Sequence, residues 1–430
     1  MKAQMAVALA GVALLAACGP KPGDPKRQIG AHPYLPDIHQ YLLPPMHVVK
    51  NVGWGDKVPA AAPGLHVEAL AKDLKNPRSL YVLPNGDILV AESEAPPTRI
   101  RRPKELVMGW LEKKAHSSVK APNDILLFRT DDQGRVVLRS VFLSHLTSPF
   151  GMVLVGSDFY VANTDGVMRF SYQTGETAIT APGTLLTELP GGPIDHHWTK
   201  SLTASPDGSK LYAGVGSNSN ITENGMEAEK NRAAIWEIDR ATGAHRLFAT
   251  GLRNPNGLSF EPETHQLWAV INERDELGPD LVPDYLTSVK DGGFYGWPYS
   301  YYGQHVDPRV MPQRRDLVAK AIPPDFALSS HVAPLGLTFY SDGELPAQYR
   351  GGAFVGEHGS WDRQELNGYR VVFVPFQNGK PSGTTQDVLT GFIEGDAAHG
   401  RPVGLAVDKR GALLVADDVG STVWRVTAAR

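Results

Sequence analysis

The sequence predicts an all-β fold, a six-bladed β-propeller with long loops at one mouth of its central channel. The first observation is composition, because 44 glycines and 34 prolines among 430 residues interrupt long helices and favour short strands joined by turns. The second is a unit that recurs six times: a proline or small residue, a strand of alternating apolar residues, a turn and a further β-rich run. Radial repetition of such a unit is typical of a propeller, whose sheet edges stay short and protected.

The first copy of the unit opens at Asn76-Pro77 and turns on Asn85-Gly86. Asn-Gly between alternating apolar runs is a strong hairpin signal. The other copies open at Ser148-Pro149, Lys200, Asn254-Pro255, Ala333-Pro334 and Arg401-Pro402. A β-sandwich would also explain the turns, but it would not explain the repeated opening.

Two spacers between the copies are long. Residues Arg99 to Asn123 are rich in basic side chains, and Asp275 to His331 form a longer insertion. Long loops of a propeller gather at the mouths of its channel, where binding residues usually lie.

The N-terminus resembles that of a bacterial lipoprotein. Met5 to Ala17 is an apolar run too short to span a bilayer, and it ends in Leu15-Ala16-Ala17-Cys18, which resembles a lipobox. An ordinary signal peptide with an incidental cysteine is the alternative. We expect a signal peptide over 1–17, a lipidated Cys18 with a tether and N-terminal extension over 18–52, and the propeller over 53–430. Gly19 after the cysteine favours a periplasmic protein anchored to the outer membrane.

Charge and missing motifs exclude several functions. The net charge of −4 lacks the basic excess that nucleic-acid binding requires. Cys18 is the sole cysteine, so neither an intrachain disulfide nor a cysteine-based metal site can form. The sequence has no HExxH, GxSxG or Walker motif and no GxGxxG followed by a helix, so a Rossmann-type oxidoreductase is not indicated.

Polar residues cluster where the repeats open. The segments are Asp195 to Lys200, Gly251 to Pro255, Glu357 to Arg363 and Gly400 to Pro402. Because the innermost strand of each blade lines the channel, side chains from four blades would meet at one axial pocket. Basic groups there suit an anionic ligand, and a neutral histidine can act as a base. Taken singly, each segment could also be an ordinary surface turn.

Three longer segments carry a family resemblance. GLRNPNGL, LWAVINERDELGPDLVPDY and GGFYGWPYSYYG resemble the glucose/sorbosone dehydrogenase family, which are six-bladed propellers dependent on pyrroloquinoline quinone (PQQ). The likeness runs from about Gly53 to the C-terminus. HHWTKSLTASPDG and EHGSWDR point to the sorbosone-dehydrogenase-like branch.

The resemblance implies roles for individual residues. His197 matches the family's general base, with His196 as its competitor. Arg253 matches the arginine that polarises the quinone oxygen, and Asn254 is its neighbour. Arg401 matches one of the arginines that bind the acidic cofactor. A lysine and a glutamine of glucose-type members are missing, so His358, or Arg363 in the same stretch, and Lys200 are the candidates to compensate.

The family also binds Ca²⁺ beside PQQ. Glu273, Asp275 and Asp284 are the candidate ligands, since hard carboxylate oxygens suit Ca²⁺, although an acidic loop can also be merely solvated. The resemblance therefore implies PQQ-dependent oxidation of an aldose or sugar aldehyde by hydride transfer. The alternatives are a Ca²⁺-dependent propeller lactonase or hydrolase, and a non-catalytic lipid-anchored binding propeller. No feature of the sequence indicates the electron acceptor.

Overall fold

The computed structural model of the chain describes residues 23–39, 47, 49–97 and 120–429. The predicted signal peptide, Cys18 and most of the basic spacer after Arg99 lie outside the described residues. Helices in the described part are single turns: Pro25–Gln28, Met226–Glu229 and Ala347–Tyr349 are 3₁₀-helical and Arg315–Val318 is α-helical. No helix among them is both long and apolar enough to cross a bilayer.

The described residues form six antiparallel sheets, each with a core of four strands. Blade one contains Pro77–Val82, Ile88–Glu92, Asp124–Thr130 and Val136–Leu143. Blade two contains Gly151–Val155, Asp158–Ala162, Gly166–Ser171 and Thr184–Glu188. Blade three contains Leu202–Ala204, Lys210–Val215, Ala234–Asp239 and His245–Thr250.

The second half of the chain continues the pattern. Blade four contains Asn254–Phe260, Leu267–Asn272, Pro283–Ser288 and Phe326–Ser330. Blade five contains Pro334–Tyr340, Gly352–Glu357, Arg370–Val374 and Gln386–Thr390. Blade six contains Pro402–Val407, Leu413–Asp417 and Thr422–Ala428, completed by Leu65–Ala71 from the start of the chain. The predicted six-bladed all-β fold is confirmed.

The ring closes by pairing the two ends of the domain within blade six. Strand Leu65–Ala71 runs antiparallel to Thr422–Ala428, with Ala69 opposite Trp424. Its first residues alternate, since Leu65 and Val67 are buried while the intervening side chains are exposed. This alternation is the pattern of an edge strand with one face on the core.

The repeated opening has a steric reason. The innermost strands begin at Pro77, Gly151, Leu202, Asn254, Pro334 and Pro402, at or beside the predicted openings. In blade five, a Cβ on Gly336 would overlap the carbonyl oxygen of Val403. In blade six, a Cβ on Gly404 would come within 2.8 Å of the carbonyl oxygen of Arg78 in blade one. A glycine near the start of these innermost strands lets neighbouring blades approach closely around the channel.

Apolar cores fill the spaces between neighbouring blades. Pairs from successive interfaces are Leu89 with Phe159, Tyr160 with Leu211, Ile235 with Ala269, Trp268 with Val355, Phe354 with Val415, and Leu414 with Val90. Both faces of each blade are therefore covered, and burial of these side chains is the main stabilising term.

The channel is closed just inside the mouth at which the innermost strands begin. Phe150, Leu335 and Val403 form one buried apolar cluster. They come from blades two, five and six, and blade two neighbours neither of the other two, so the cluster reaches across the channel. The mouth is consequently a cup with an apolar floor.

The described part of the predicted tether packs on the propeller. Ile29–Gly30 adds a fifth strand to blade four, and Lys50–Asn51 pairs with Ala397–Ala398. Ala60–Ala61, which lies within the predicted propeller, adds a fifth strand to blade five. Contact with the propeller begins close to the N-terminal end of the described residues. Gln28 is buried there, 2% exposed, and donates to the Asp280 carbonyl. The remaining short strands are Gly293–Phe294, Ser300–Tyr301, His305–Val306, Phe376–Gln377, Lys380–Pro381 and Ile393–Glu394.

Candidate active site

Strand register brings the predicted site residues to one rim. In each blade the start of the innermost strand pairs with the end of the second strand. Register pairs are Pro77 with Glu92, Asn254 with Asn272, Pro334 with Glu357 and Pro402 with Asp417. The loops that follow the second strands therefore surround the same mouth as the loops that lead into the innermost strands.

His197 is half-buried at this mouth, and its hydrogen bonds define its tautomer. Its Nδ1 lies 2.8 Å from the carbonyl oxygen of Ser217. A carbonyl can only accept, so Nδ1 carries the hydrogen and Nε2 keeps the lone pair. Burial, and then the nearby His196 and Arg253, hold the pKa of His197 well below its usual value. The imidazole is therefore neutral at physiological pH, whereas His196 beside it is exposed.

The loop that carries His197 is held by a buried ion pair network. Lys200 is fully buried, and its Nζ donates to the Trp198 carbonyl at 2.9 Å and approaches Asp195 at 3.4 Å. Asp195 also binds Arg232 at 2.8 Å. Burial lowers the pKa of Lys200 to about 8. With its ammonium group enclosed in this way, the geometry favours a positioning role for Lys200 over the predicted cofactor contact.

Arg253 is clamped between blades three and four. Its Nη1 donates to the Glu273 carbonyl at 2.6 Å, and its Nη2 lies 3.0 Å from Asp275 Oδ2. The adjacent Asn254 Oδ1 is buried without a hydrogen-bond partner in the described structure. A Cβ on Gly216 would collide with that oxygen and come within 2.5 Å of the His197 Cβ. His197 and Asn254 thus flank the same glycine.

Arg401 lies at the same rim in blade six. Its Nη2 is 2.5 Å from the hydroxyl of Tyr369, and its guanidinium carbon lies 4.8 Å from the centre of that ring. Its Nε is buried and has no partner among the described residues. One donor of Arg401 is therefore unsatisfied, and the side chain as a whole is only partly buried.

His358 belongs to a triad that sequence reasoning only partly identified. Its Nε2 lies 3.0 Å from Asp418 Oδ2, and Arg78 Nη1 lies 2.5 Å from the same oxygen. The Arg78 guanidinium also stands 5.6 Å from the Trp198 ring. Burial, with Arg401 and Arg78 nearby, lowers the pKa of His358 to about 4 in spite of Asp418. Arg78 and Arg401 consequently supply the positive charge on this side of the cup, while His358 is neutral and Asp418 pairs with Arg78.

The three predicted calcium ligands do not form a common ligand set. Asp284 is buried, and its two oxygens accept the backbone N–H groups of Glu273 and Ala333, each at 2.7 Å. Burial raises the pKa of Asp284 and of Glu273 to about 7. Both groups lie within the protein, and the two oxygens of Asp284 are already engaged by backbone N–H groups.

Asp275 instead joins two residues from the neighbouring blade. His331 Nδ1 lies 3.6 Å from Asp275 Oδ1 and 3.4 Å from Asp362 Oδ2. Among the described residues, these three form the only group with metal-binding atoms within 4.8 Å of one another. Burial opposes a charge on the imidazole, but Asp362 and Asp275 raise the pKa of His331 to about 9.

Sequence reasoning missed Arg78, Asp418, His331 and Asp362. Two of them carried a usable signal: Asp362 lies inside the EHGSWDR segment, and His331 stands just before an innermost strand, as His197 does. Arg363 from the same segment is buried and binds the Pro279 carbonyl and Asp280, each at 2.8 Å. It therefore ties two mouth loops together.

Comparison with known proteins places the chain in a family. The sequence profile of the TrAA12-like family matches residues 59–283 and 307–429. An uncharacterized protein of Borreliella burgdorferi is 28% identical over 241 residues, which are 55% of this chain and 62% of that protein. A pyrroloquinoline quinone-dependent pyranose dehydrogenase of Coprinopsis cinerea is 34% identical over 353 residues, 67% of this chain and 47% of that protein. The chain thus spans less than two thirds of either relative.

The fold has solved counterparts. The PQQ domain of the Coprinopsis cinerea pyranose dehydrogenase, in its holo form, superposes with a TM-score of 0.69 at 20% identity, over 88% of this chain and 100% of that domain. The predicted family resemblance is confirmed, while placement in the sorbosone-type branch stays a prediction. Since the matched profile spans well over half of the residues, the chain belongs to the TrAA12-like family.

Proposed function

We propose that the protein is a PQQ-dependent dehydrogenase that oxidises a sugar, either an aldose or a sugar aldehyde of the sorbosone type. The observation that carries the proposal is the pairing of His197 with the arginines of the same cup. A neutral imidazole, whose Nε2 has no hydrogen-bond partner among the described residues, stands near the buried Arg253 and at the same mouth as Arg78 and Arg401. The curated relative from Coprinopsis cinerea, whose name states a PQQ-dependent pyranose dehydrogenase, supports the same assignment.

The residues of the cup fit PQQ, which is a planar tricarboxylate with two quinone oxygens. Arg401 Nε and Arg78 Nε are buried donors without partners among the described residues. Buried donors of this kind are usually satisfied, and a carboxylate is the natural partner of a guanidinium. We assign the acidic groups of the cofactor to Arg401 and Arg78 and its quinone edge to Arg253 and Asn254.

His197 is the residue we assign as general base. Its Nδ1–H is held by Ser217, so Nε2 is free to accept the proton of a hydroxyl on the reacting sugar carbon. When bound, PQQ supplies an ortho-quinone that accepts a hydride from that carbon. Removal of the hydroxyl proton by His197 favours departure of the hydride, and the substrate leaves oxidised by two electrons.

Arg253 and Lys200 contribute through position and charge. The Arg253 guanidinium, held by Glu273 and Asp275, would supply positive charge to stabilise the electron density that a quinone oxygen gains. Lys200 orients the His197 loop from within the fold. No step is assigned to calcium, because the carboxylates of Glu273 and Asp284 are engaged elsewhere.

The balance of charge in the cup separates this proposal from a lactonase or hydrolase. A metal-dependent hydrolase activates water with a cation held by carboxylates on the axis. Here Arg78 and Arg253 pair with Asp418 and Asp275, while the Arg401 side chain has no carboxylate partner among the described residues, which favours an anionic ligand beside it. The non-catalytic alternative, a binding propeller, would not require the proton acceptor that Nε2 of His197 provides.

The deciding experiment adds PQQ to the purified full chain, with and without Ca²⁺, and follows dye reduction with a panel of aldoses, sorbosone and simple aldehydes. We expect sugar-dependent dye reduction only in the presence of PQQ. Lactone hydrolysis without PQQ would favour the hydrolase. Absence of both activities, together with absence of PQQ binding, would leave only a binding propeller. We also propose periplasmic localisation through a lipid on Cys18.

A further inference from the structure

We infer that Asp275, His331 and Asp362 bind a divalent transition-metal ion of the Zn²⁺ or Mn²⁺ type. The three side chains come from the mouth loops of blades four and five. They are separate from the cofactor contacts proposed above, except that Asp275 touches Arg253 through its second oxygen.

The hydrogen bond of His331 fixes which nitrogen faces the carboxylates. Its Nε2 lies 3.1 Å from the carbonyl oxygen of Gly278. Because that oxygen only accepts, Nε2 carries a hydrogen. Nδ1 then points at Asp275 and Asp362. An imidazole hydrogen-bonded to a carbonyl on its far side is the usual arrangement of a metal-binding histidine.

Three electron-rich atoms that face one another require either a proton or a cation between them. A charge-assisted N–H···O bond measures about 2.7–2.9 Å, but Nδ1 is 3.6 Å from Asp275 Oδ1 and 3.4 Å from Asp362 Oδ2. Ligand atoms bound at about 2.1 Å in a tetrahedral site are separated by about 3.4 Å. The observed spacing is that of ligands around a shared ion, which would replace the proton that the imidazole otherwise holds between the two carboxylates.

Asp362 supplies an independent observation. The residue is only 3% exposed, and its Oδ1 is buried without a hydrogen-bond partner among the described residues. A buried carboxylate with an unsatisfied oxygen is costly unless it is paired or binds a metal. Asp275, whose side chain is 18% exposed, leaves one side of the group open, so that an ion can enter and keep a water or substrate ligand.

The donor set selects the class of ion. Ca²⁺ and Mg²⁺ prefer oxygen ligands alone, and Ca²⁺ needs six to eight of them. One imidazole with two carboxylates suits Zn²⁺, Mn²⁺ and similar ions instead. The group therefore shares Asp275 with the calcium site that the family resemblance implies but differs from it in the other ligands and in the class of ion.

The ion would also help to place Arg253. Asp275 presents Oδ1 to His331, and its Oδ2 lies 3.0 Å from Arg253 Nη2. A carboxylate fixed by a metal ion would hold the guanidinium in one orientation. The inference does not rest on the proposed sugar oxidation, because the ion is detected by binding.

The test measures ion binding to the full chain after treatment with a chelator, using calorimetry with Zn²⁺, Mn²⁺ and Ca²⁺. The wild type should bind one Zn²⁺ or Mn²⁺ more tightly than Ca²⁺. Asp362→Asn and His331→Gln should weaken this binding by more than the roughly 10–100-fold that loss of an outer-shell partner costs. Asp239→Asn, at a partly exposed ion pair with Lys210, is the matched control and should bind as the wild type does.

A second measurement guards against variants that fail to fold. Co²⁺ added to the wild-type protein should give the intense visible absorption of a four-coordinate site, and Zn²⁺ should abolish it. Absence of that absorption, unchanged Zn²⁺ affinity in both folded site variants, or tighter binding of Ca²⁺ than of Zn²⁺ and Mn²⁺ would each overturn the inference.

Discussion

His197 and Arg253 are joined through the backbone of a single residue. The Ser217 carbonyl accepts the His197 Nδ1–H at 2.8 Å, and the Ser217 N–H donates to the Arg253 carbonyl at 2.8 Å. The backbone of Ser217 therefore fixes the position of the proposed base relative to that of Arg253. Such pre-organisation lets charge and proton acceptor act together without reorganising during the reaction.

Arg401→Gln should weaken PQQ binding. The substitution removes one charged donor whose Nε has no partner among the described residues. Charged hydrogen bonds contribute about 1.5–3 kcal/mol, which corresponds to about 10- to 150-fold in Kd. Calorimetry on the purified protein measures the change. Arg410→Gln, at a surface contact with Asp132, is the control, and equal affinities of the two variants would contradict the assignment.

Gly216→Ala should impair the reaction more than it impairs cofactor binding. The new Cβ would displace Asn254 Oδ1 or His197, and a misplacement of about 1 Å at a reacting group can cost about 10²-fold in rate. The rate of reduction of bound PQQ by sugar measures the effect. Gly192→Ala, where a Cβ meets nothing within 4 Å, should retain the wild-type rate. A normal rate in Gly216→Ala would show that this contact does not position the base.

Acidification should destabilise the wild type relative to His358→Gln. The pKa of His358 is about 4 in the folded protein, against about 6.5 in an unfolded chain. Between these values the unfolded chain binds the proton that the folded protein rejects, so stability falls as the pH drops. From pH 7 to 5 the difference in unfolding free energy between the two proteins should change by about 2 kcal/mol. Urea unfolding at both pH values measures it, and a constant difference would contradict the neutral state of His358.

Cys18→Ala should abolish lipid attachment. The residue follows Leu15-Ala16-Ala17, and its thiol is the proposed acceptor of the lipid. Metabolic labelling with a fatty acid analogue in a bacterial host compares the variant with the wild type. Equal labelling of the two proteins would contradict a lipid anchor at this position.

The blades and their order were predictable from the sequence because each innermost strand begins with a local signal. Pro77, Pro334 and Pro402 each open an innermost strand. In the strands after Pro334 and Pro402, Gly336 and Gly404 let neighbouring blades touch. The packing of the predicted tether on the propeller could not be predicted in this way. Its contact through Gln28 with Asp280, more than 250 positions away in the chain, has no local sequence signal.

The candidate site was predictable only in part. His197 and Arg253 precede strands of their own repeats, so their placement follows from the repeat. Arg78 and Asp418 are 340 positions apart and meet only because blades one and six close the ring. The burial of Lys200 likewise depends on Asp195 and Arg232 packing around it, which no spacing in the sequence indicates.

Stopped-flow absorbance of the His197→Ala protein, which measures how fast sugar reduces bound PQQ, tests the central claim most directly. His197→Ala should retain PQQ but reduce it about 10²- to 10⁴-fold more slowly, the usual cost of losing a general base. His196→Ala removes the exposed neighbour and should lose far less. A His197→Ala protein that reduces PQQ at the wild-type rate would contradict the assignment of His197 as the base.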